Sequence, residues 1–99
     1  MSTSGTEIKE ALAQTLSLTD DALTVDLADG RTITVPLAWF PRLAHGTEAE
    51  RGSSRLVGGG EGIHWPDLDE DIRVESLLAG RGSKETAESL SRWLRARGQ

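Results

Sequence analysis

The chain contains no cysteine and few aromatic residues, and both shortages limit what it can do. Without cysteine, disulfides, thiolate zinc sites and cysteine nucleophiles are excluded, and the composition suits a reducing cytoplasm. Three Trp and one Phe are its aromatic residues, and Leu, Ile, Val and Phe together make up 22 of the 99 residues. That share is close to the ~20 % below which charged chains tend to stay unfolded. We therefore expect one small domain with a thin core.

Long hydrophobic runs are also missing. No apolar stretch approaches the ~18 residues of a membrane span, and no secretory signal precedes the first polar segment. Basic residues are in the minority, because 16 Asp and Glu face 11 Lys and Arg, which gives a formal net charge of −5. That charge argues against unspecific nucleic-acid binding but leaves room for a local basic face. We expect a cytoplasmic protein with no membrane contact and no cofactor.

A two-residue alternation of apolar and polar residues runs from Thr15 to Val35 and predicts three antiparallel strands. The loop at Asp29-Gly30 sets their register. A two-residue loop would put the aliphatic side chains of its two strands on opposite faces, whereas a three-residue loop starting at Ala28 gathers them on one face. We therefore predict the longer loop, with Gly30 in the left-handed conformation. The expected cross-strand pairs are Leu16–Val25, Leu18–Leu23, Val25–Ile33, Leu23–Val35 and Leu27–Arg31.

Short helices are expected after this meander. Residues 37–44 can form about two helical turns, provided that Pro41 lies in the first turn of a helix. Thr47 and Glu50 have the spacing of a capping box and open a short helix that Gly52 ends.

A second hairpin follows. Residues 55–57 and 63–65 resemble two strands joined by the glycine-rich loop 58–62. Residues 66–71 then form an acidic, turn-rich connection. Beyond it, two alternatives stay open, a last short strand or a helix. Ile72 and Val74 have the alternation of a strand, while a helical face is formed by Val74, Leu77 and Leu78.

The chain divides into three segments. Residues 1–14 form an arm or short helix, in which Ser4 and Glu7 resemble a capping box. Residues 15–80 form the domain, which Gly80 ends, and residues 81–99 form a linker and a C-terminal helix. In that last segment Ser83 caps a helix to about Arg97, whose apolar face consists of Ala87, Leu90 and Leu94. The expected fold class is α+β, an antiparallel β-meander plus a second β-hairpin, with short helices on one face and a C-terminal helix.

The candidate interaction surface lies around the acidic connection. Aromatic side chains are enriched at binding hot spots, and four of them cannot all be deeply buried in so small a domain. We expect Trp93, beyond the linker, to face a partner. The neighbouring carboxylates suit a basic partner. The expected partner-binding residues are His64, Trp65, Asp67, Asp69, Glu70, Asp71 and Trp93.

The same region permits a metal or acid–base interpretation, because an imidazole beside carboxylates resembles a Zn²⁺ or Mn²⁺ ligand set. The aspartate spacing, however, lacks the glycine and the distal glutamate of an EF-hand loop. The glycine-rich loop 58–62 also lacks the Lys-Ser/Thr and the following helix of a phosphate-binding loop. Ser53, Ser54 and His45 lack the glycines of a nucleophile elbow. We therefore predict no metal site and no catalytic residue.

Arg92, Arg95 and Arg97 crowd the C-terminal helix and carry an alternative hypothesis. Such a row can contact phosphates. Cations near a helix C-terminus also complement the helix dipole, and a single helix of this kind is not a known recognition motif. A DNA-binding regulator is therefore the alternative function, and a metal-dependent enzyme comes third.

Two sequence blocks carry a resemblance to a known family. The first block, residues 23–43, reads LTVDLADGRTITVPLAWFPRL. The second, residues 60–72, reads GEGIHWPDLDEDI and is followed by Leu77-Leu78-Ala79-Gly80. Over about residues 15–80 the chain resembles the bacterial family called domain of unknown function 2442 (DUF2442). The resemblance implies a small α+β domain with no established enzyme activity and no agreed catalytic residues.

The resemblance also implies a kind of partner. Relatives are often encoded beside another small family of unknown function, numbered 4160, and the pair has been suggested to act like a toxin and its antitoxin. Some relatives carry an additional DNA-binding helix-turn-helix, but residues 83–99 of this chain supply only one helix. The expected function is thus a non-enzymatic protein-interaction module, an antitoxin-like partner of a small basic protein encoded nearby.

Overall fold

The first half of the domain is a three-stranded antiparallel meander. The computed structural model describes residues 11–98 of the chain. Strands β1 (Ala13–Leu18), β2 (Ala22–Leu27) and β3 (Thr32–Pro36) lie side by side in that order. Gly30 has a φ of 95°, which confirms the predicted left-handed position in the β2–β3 loop. The predicted register is confirmed by the observed pairs Leu16–Val25, Leu18–Leu23, Val25–Ile33 and Leu23–Val35.

This register sorts the two faces of the meander as the alternation predicts. Leu23 and Val25 are fully buried, and Leu27 is nearly so. Asp26 lies on the opposite, exposed face, where Thr15 and Thr32 each donate a hydrogen bond of 2.8 Å to its carboxylate. These hydrogen bonds lower the pKa of Asp26. One face therefore builds the core, and the other is a hydroxyl- and carboxylate-bearing surface.

Two short helices follow and confirm the predicted capping chemistry. A 3₁₀ turn at Leu37–Trp39 leads into α1 (Pro41–His45), in which Pro41 occupies the first turn. In α2 (Glu48–Gly52) the side chain of Thr47 accepts the Glu50 N–H, and the Glu50 carboxylate accepts the Thr47 N–H. The capping box is therefore complete.

The second sheet is larger than the predicted hairpin. Strands β4 (Arg55–Val57) and β5 (Gly62–Trp65) pair around the glycine-rich loop as expected, and β6 (Glu70–Arg73) adds a third antiparallel strand. Glu70 and Asp71 thus belong to a strand, so the acidic connection is shorter than the sequence suggested. Ile63 and Trp65 of this sheet share one hydrophobic core with the meander.

The two alternatives after the acidic connection both occur, one after the other. Ile72 lies in β6, and α3 (Val74–Leu78) begins directly behind it. Gly80 follows with a φ of 73°, as a C-terminal glycine of a helix does.

The C-terminal helix α4 (Ala87–Ala96) begins later than predicted. Its N-cap is Thr86, whose side chain accepts the Ser89 N–H, whereas the Ser83 hydroxyl accepts the Glu85 N–H in a preceding turn. The Ser4–Glu7 capping box lies outside the described residues. No helix within residues 11–98 has the length and apolarity that a membrane crossing requires.

Candidate functional site

The site is built around the turn between β5 and β6, and we call Asp67, Asp69, Glu70 and Asp71 the acidic turn. The Leu68 N–H donates to the Trp65 carbonyl at 3.2 Å, and the Asp69 N–H donates to the Pro66 carbonyl at 3.4 Å. Asp69 has a φ of 51°, a left-handed conformation that aspartate tolerates better than most residues.

Leu68 anchors this turn. Its side chain is completely buried, while Asp67 and Asp69 on either side of it are exposed. On the β6 side the Arg42 guanidinium donates to the Asp69 carbonyl at 3.0 Å and lies 3.5 Å from its carboxylate. A buried leucine and a cross-link from α1 therefore hold the carboxylates of the turn toward solvent.

His64 and Asp71 face each other across β5 and β6. They are register partners, and the His64 Nδ1 and an Asp71 carboxylate oxygen are 2.7 Å apart. The Asp71 side chain remains 70 % exposed. Within residues 11–98, no three His, Asp or Glu side chains converge closely enough to share a metal ion. The metal-dependent hypothesis therefore finds no ligand set around His64 in that range.

Glu70 differs from its neighbours in the acidic turn. It is half-buried, and burial raises the pKa of its carboxyl to about 7. The carboxylates of Glu85 and Asp71 raise this pKa further, while the Arg42 guanidinium opposes them. Glu70 therefore changes charge near neutral pH, unlike an ordinary surface glutamate.

Trp65 is not part of a partner surface, which corrects the expectation from the sequence. Its side chain is completely buried, and its indole N–H donates to the Arg51 carbonyl at 2.9 Å. A fully buried tryptophan of this kind contributes to the core and satisfies its polar atom internally. The tryptophan with a more exposed side chain is Trp39, at 37 %.

Trp93 also lies against its own domain. The guanidinium groups of Arg42 and Arg97 stand 5.3 Å and 4.6 Å from the centre of its ring, both within the range of cation–π contacts. Its side chain is half-buried against the core. In the observed position of α4 the Trp93 ring therefore contacts two arginines of its own chain, and the expectation that it faces a partner stays a prediction.

Two ion pairs accompany this contact. Arg42 of α1 binds Glu85 with two N–H groups at 2.5 and 3.2 Å, and Arg97 binds Glu50 of α2 at 2.8 and 3.0 Å. The Ser89 hydroxyl also donates to the Glu85 carboxylate. We call Arg42, Glu50, Glu85, Trp93 and Arg97 the helix clamp.

The ion pairs of the helix clamp shift the protonation of its carboxylates. Hydrogen bonds from Arg97 lower the pKa of Glu50 to about 2, with the Thr47 N–H contributing. Hydrogen bonds from Arg42 lower the pKa of Glu85. Both carboxylates therefore remain charged at neutral pH and hold α4 electrostatically.

The predicted basic row on the C-terminal helix is divided by the fold. Arg92 and Arg95 are exposed, but Arg97 turns toward the domain and pairs with Glu50. The three arginines therefore do not form one phosphate-binding surface, because Arg92 and Arg95 share one side of α4 and Arg97 is directed to another. The DNA-binding alternative loses one of its three residues.

The residues of the helix clamp other than Trp93 and Arg97 were missed by the sequence analysis. Hydrophobic periodicity pointed to Ala87, Leu90 and Leu94, yet Ala87 is exposed. The sequence pattern that could have found them is a four-residue spacing of charged, polar and aromatic residues, which places their side chains on one stripe of a helix. It comprises Glu85, Ser89, Trp93 and Arg97.

An open groove of about 650 Å³ shares no lining residue with the acidic turn or the helix clamp. Its lining combines apolar side chains of Leu12, Val74 and Leu78 with charged ones, among them Arg73 and Arg81. Charges of both signs therefore line the groove, since Glu61 and Glu75 belong to its lining as well.

Comparison with known proteins gives a family and a fold. A crystal structure of a protein of unknown function from Rhodospirillum rubrum is 28% identical to this chain, with a TM-score of 0.62. It covers 74% of this chain and 92% of its own length. An uncharacterized protein from Chromobacterium violaceum, solved by NMR in solution, has a TM-score of 0.66 over 89% of this chain and 81% of its own. At 16% identity, that second likeness concerns the fold alone.

A search of the curated proteins found no match. The family model described as "Protein of unknown function (DUF2442)" matches residues 14–83, which span both sheets and helices α1 to α3. This agrees with the resemblance that the two sequence blocks carried. The chain therefore belongs to the DUF2442 family.

Proposed function

We propose that this domain is a non-enzymatic interaction module that binds a basic protein through the acidic turn. The observation that carries the proposal is the presentation of the carboxylates. Asp67, Asp69 and Asp71 project into solvent from a turn that buried Leu68 anchors from below. A surface whose backbone is held in place loses little conformational freedom on binding.

Charge supports a basic partner. The chain carries a net charge of −5, and the side chains of Asp69 and Asp71 are 84 % and 70 % exposed. Exposed carboxylates of this kind steer the encounter with a positively charged surface and fix its orientation. The Arg42 contacts to Asp69 leave most of that carboxylate in solvent, so it remains accessible to a partner's Lys or Arg.

The family resemblance indicates the kind of partner and the biological role. An antitoxin-like role, in which this domain holds a small basic protein encoded nearby, suits an acidic binding surface. The absence of cysteine fits a cytoplasmic setting for such a pair.

Co-expression with the small protein encoded beside this chain's gene tests the proposal. The two proteins are expected to copurify at low salt and to separate as ionic strength rises, because exposed charge pairs are screened. An Asp67→Asn/Asp71→Asn variant should lose copurification. A double variant of equal charge change elsewhere, Asp21→Asn/Glu88→Gln, should retain it. Failure of the unaltered chain to copurify at any salt concentration would remove the proposal.

A further inference from the structure

The surface beneath α4 is arranged as a receptor for one face of a helix. The domain supplies a cation on α1, Arg42, and an anion on α2, Glu50. The C-terminal segment supplies the complementary anion Glu85 and cation Arg97, each paired bidentately. Bidentate arginine–carboxylate pairs specify geometry as well as charge. The two pairs have opposite polarity, so they also specify the direction of the docked helix.

An aromatic ring also contributes to this contact. The Trp93 ring contacts both the Arg42 and the Arg97 guanidinium groups. No residue of α4 is completely buried. The contact of α4 with the domain includes charged groups along one stripe and the Trp93 ring, which also packs against the hydrophobic core.

The two sides of this contact come from different parts of the chain. Arg42 and Glu50 lie within residues 14–83, which the family model matches. Glu85, Trp93 and Arg97 lie beyond its end. Arg42 and Glu50 of the receptor surface thus lie within the residues that the family model matches, while the helix that occupies the surface lies outside them.

We propose that this surface is a helix-binding site whose built-in occupant is α4. In trans it accepts a partner protein's helix that carries a carboxylate, an aromatic ring and a guanidinium group in the same stripe. Tethering gives α4 an effective concentration in the millimolar range, so a partner helix must bind more tightly than α4 or meet a chain whose α4 has detached. This proposal does not rest on the proposed function, although Arg42 contacts both Glu85 and the acidic turn.

A peptide-binding experiment tests it. The receptor is the full chain with Trp93→Ala/Arg97→Gln, in which both substitutions lie in the C-terminal segment and leave the receptor residues Arg42 and Glu50 unaltered. The probe is a fluorescein-labelled synthetic peptide of residues 84–98, followed by fluorescence polarisation. Comparison peptides carry Trp93→Ala, Arg97→Gln or, as the matched control, Arg92→Gln/Arg95→Gln on the exposed face.

The expected result is saturable binding of the unaltered and the control peptide. The Trp93→Ala and Arg97→Gln peptides should bind at least about tenfold more weakly, since each lacks a cation–π contact or a bidentate ion pair. The unaltered full chain should bind the peptide more weakly than the receptor variant, because its own α4 occupies the site.

Two outcomes would overturn the proposal. One is equal binding of all four peptides, which would mean that the stripe is not recognised. The other is the absence of saturation up to about 1 mM peptide, which is the effective concentration that tethering gives α4. This outcome counts if circular dichroism shows that the receptor variant is folded. A charge exchange keeps the test decisive if that variant unfolds: a Glu50→Arg chain should bind the Arg97→Glu peptide and reject the unaltered one.

Discussion

Burial sets Glu70 apart from the other carboxylates of the acidic turn. Asp67, Asp69 and Asp71 are exposed, whereas Glu70 is half-buried beside Arg42 and has its pKa raised to about 7. A raised carboxyl pKa means that the folded state holds a proton that the unfolded state has already released. The negative charge of the acidic turn therefore increases as the pH rises through neutrality.

This titration predicts a pH-dependent effect of Glu70→Gln. Between pH 4.5 and about 7 the folded chain binds more protons than the unfolded chain, so stability falls as the pH rises through that window. Glutamine does not titrate and avoids this loss. The variant should match the unaltered chain near pH 4.5 and show a higher urea midpoint near pH 8. As an exposed control, Glu88→Gln should keep the same urea midpoint as the unaltered chain at both pH values. A lower midpoint for Glu70→Gln than for the unaltered chain near pH 8 would contradict this interpretation.

Leu68 shows why the acidic turn could be found from the sequence only in part. The cluster of carboxylates was visible, but one leucine among five polar or turn-forming residues has no periodicity from which burial can be inferred. Its burial becomes evident only when both sheets meet in one core. The same meeting buries Trp65, which the sequence analysis had assigned to a partner surface.

At the scale of elements, alternation determined most of the architecture. Only a three-residue loop between β2 and β3 places the aliphatic side chains of both strands on one face. The alternation of apolar and polar residues alone therefore predicted the register correctly. The capping box at Thr47 was likewise a local signal. The docking of α4 could not be predicted from the sequence. The two residues of one ion pair are separated by 43 positions and those of the other by 47, and neither pair follows a hydrophobic pattern.

The glycine-rich loop between β4 and β5 approaches β1 closely at one residue. Gly60 has a φ of 108°, and a Cβ there would lie 2.6 Å from the Ala13 carbonyl oxygen. Gly59 also has a positive φ, 69°, but a Cβ there would meet nothing within 4 Å. The loop therefore requires glycine at position 60 for space as well as for conformation.

Gly60→Ala should consequently destabilise the fold more than Gly59→Ala. Both variants share the cost of a positive φ, about 1 kcal/mol, so their difference isolates the close approach to β1. Overpacking of this kind costs roughly 1–3 kcal/mol further. Urea unfolding of both variants measures the difference, and equal stabilities would show that β1 does not approach the loop as described.

The helix clamp predicts that α4 detaches at low pH. The pKa of Glu50 is lowered from 4.5 to about 2, so its contribution is present above pH 4.5 and is lost as the pH falls toward 2. The indole N–H resonance of Trp93 should shift across that window while the signal of buried Trp65 persists. In Arg97→Gln, α4 should already be displaced at neutral pH, and an unchanged Trp93 signal in that variant would refute the clamp.

At the scale of the whole molecule, some charged side chains form internal pairs and others face solvent. Arg42, Arg51 and Arg97 are engaged in internal pairs with carboxylates or backbone carbonyls. These three arginines are thereby directed inward, while Asp67, Asp69 and Asp71 of the acidic turn point to solvent. The acidic turn therefore presents three exposed aspartates to a partner.

The affinity for the basic partner that we propose, measured by isothermal titration calorimetry, tests this account most directly. Asp67→Asn/Asp71→Asn is expected to weaken binding by at least about tenfold and to flatten its salt dependence, because two exposed charge contacts are removed. Asp21→Asn/Glu88→Gln, with the same change in net charge, should bind as the unaltered chain does. Equal losses in both variants would mean that overall charge governs the interaction and that the acidic turn is not its site.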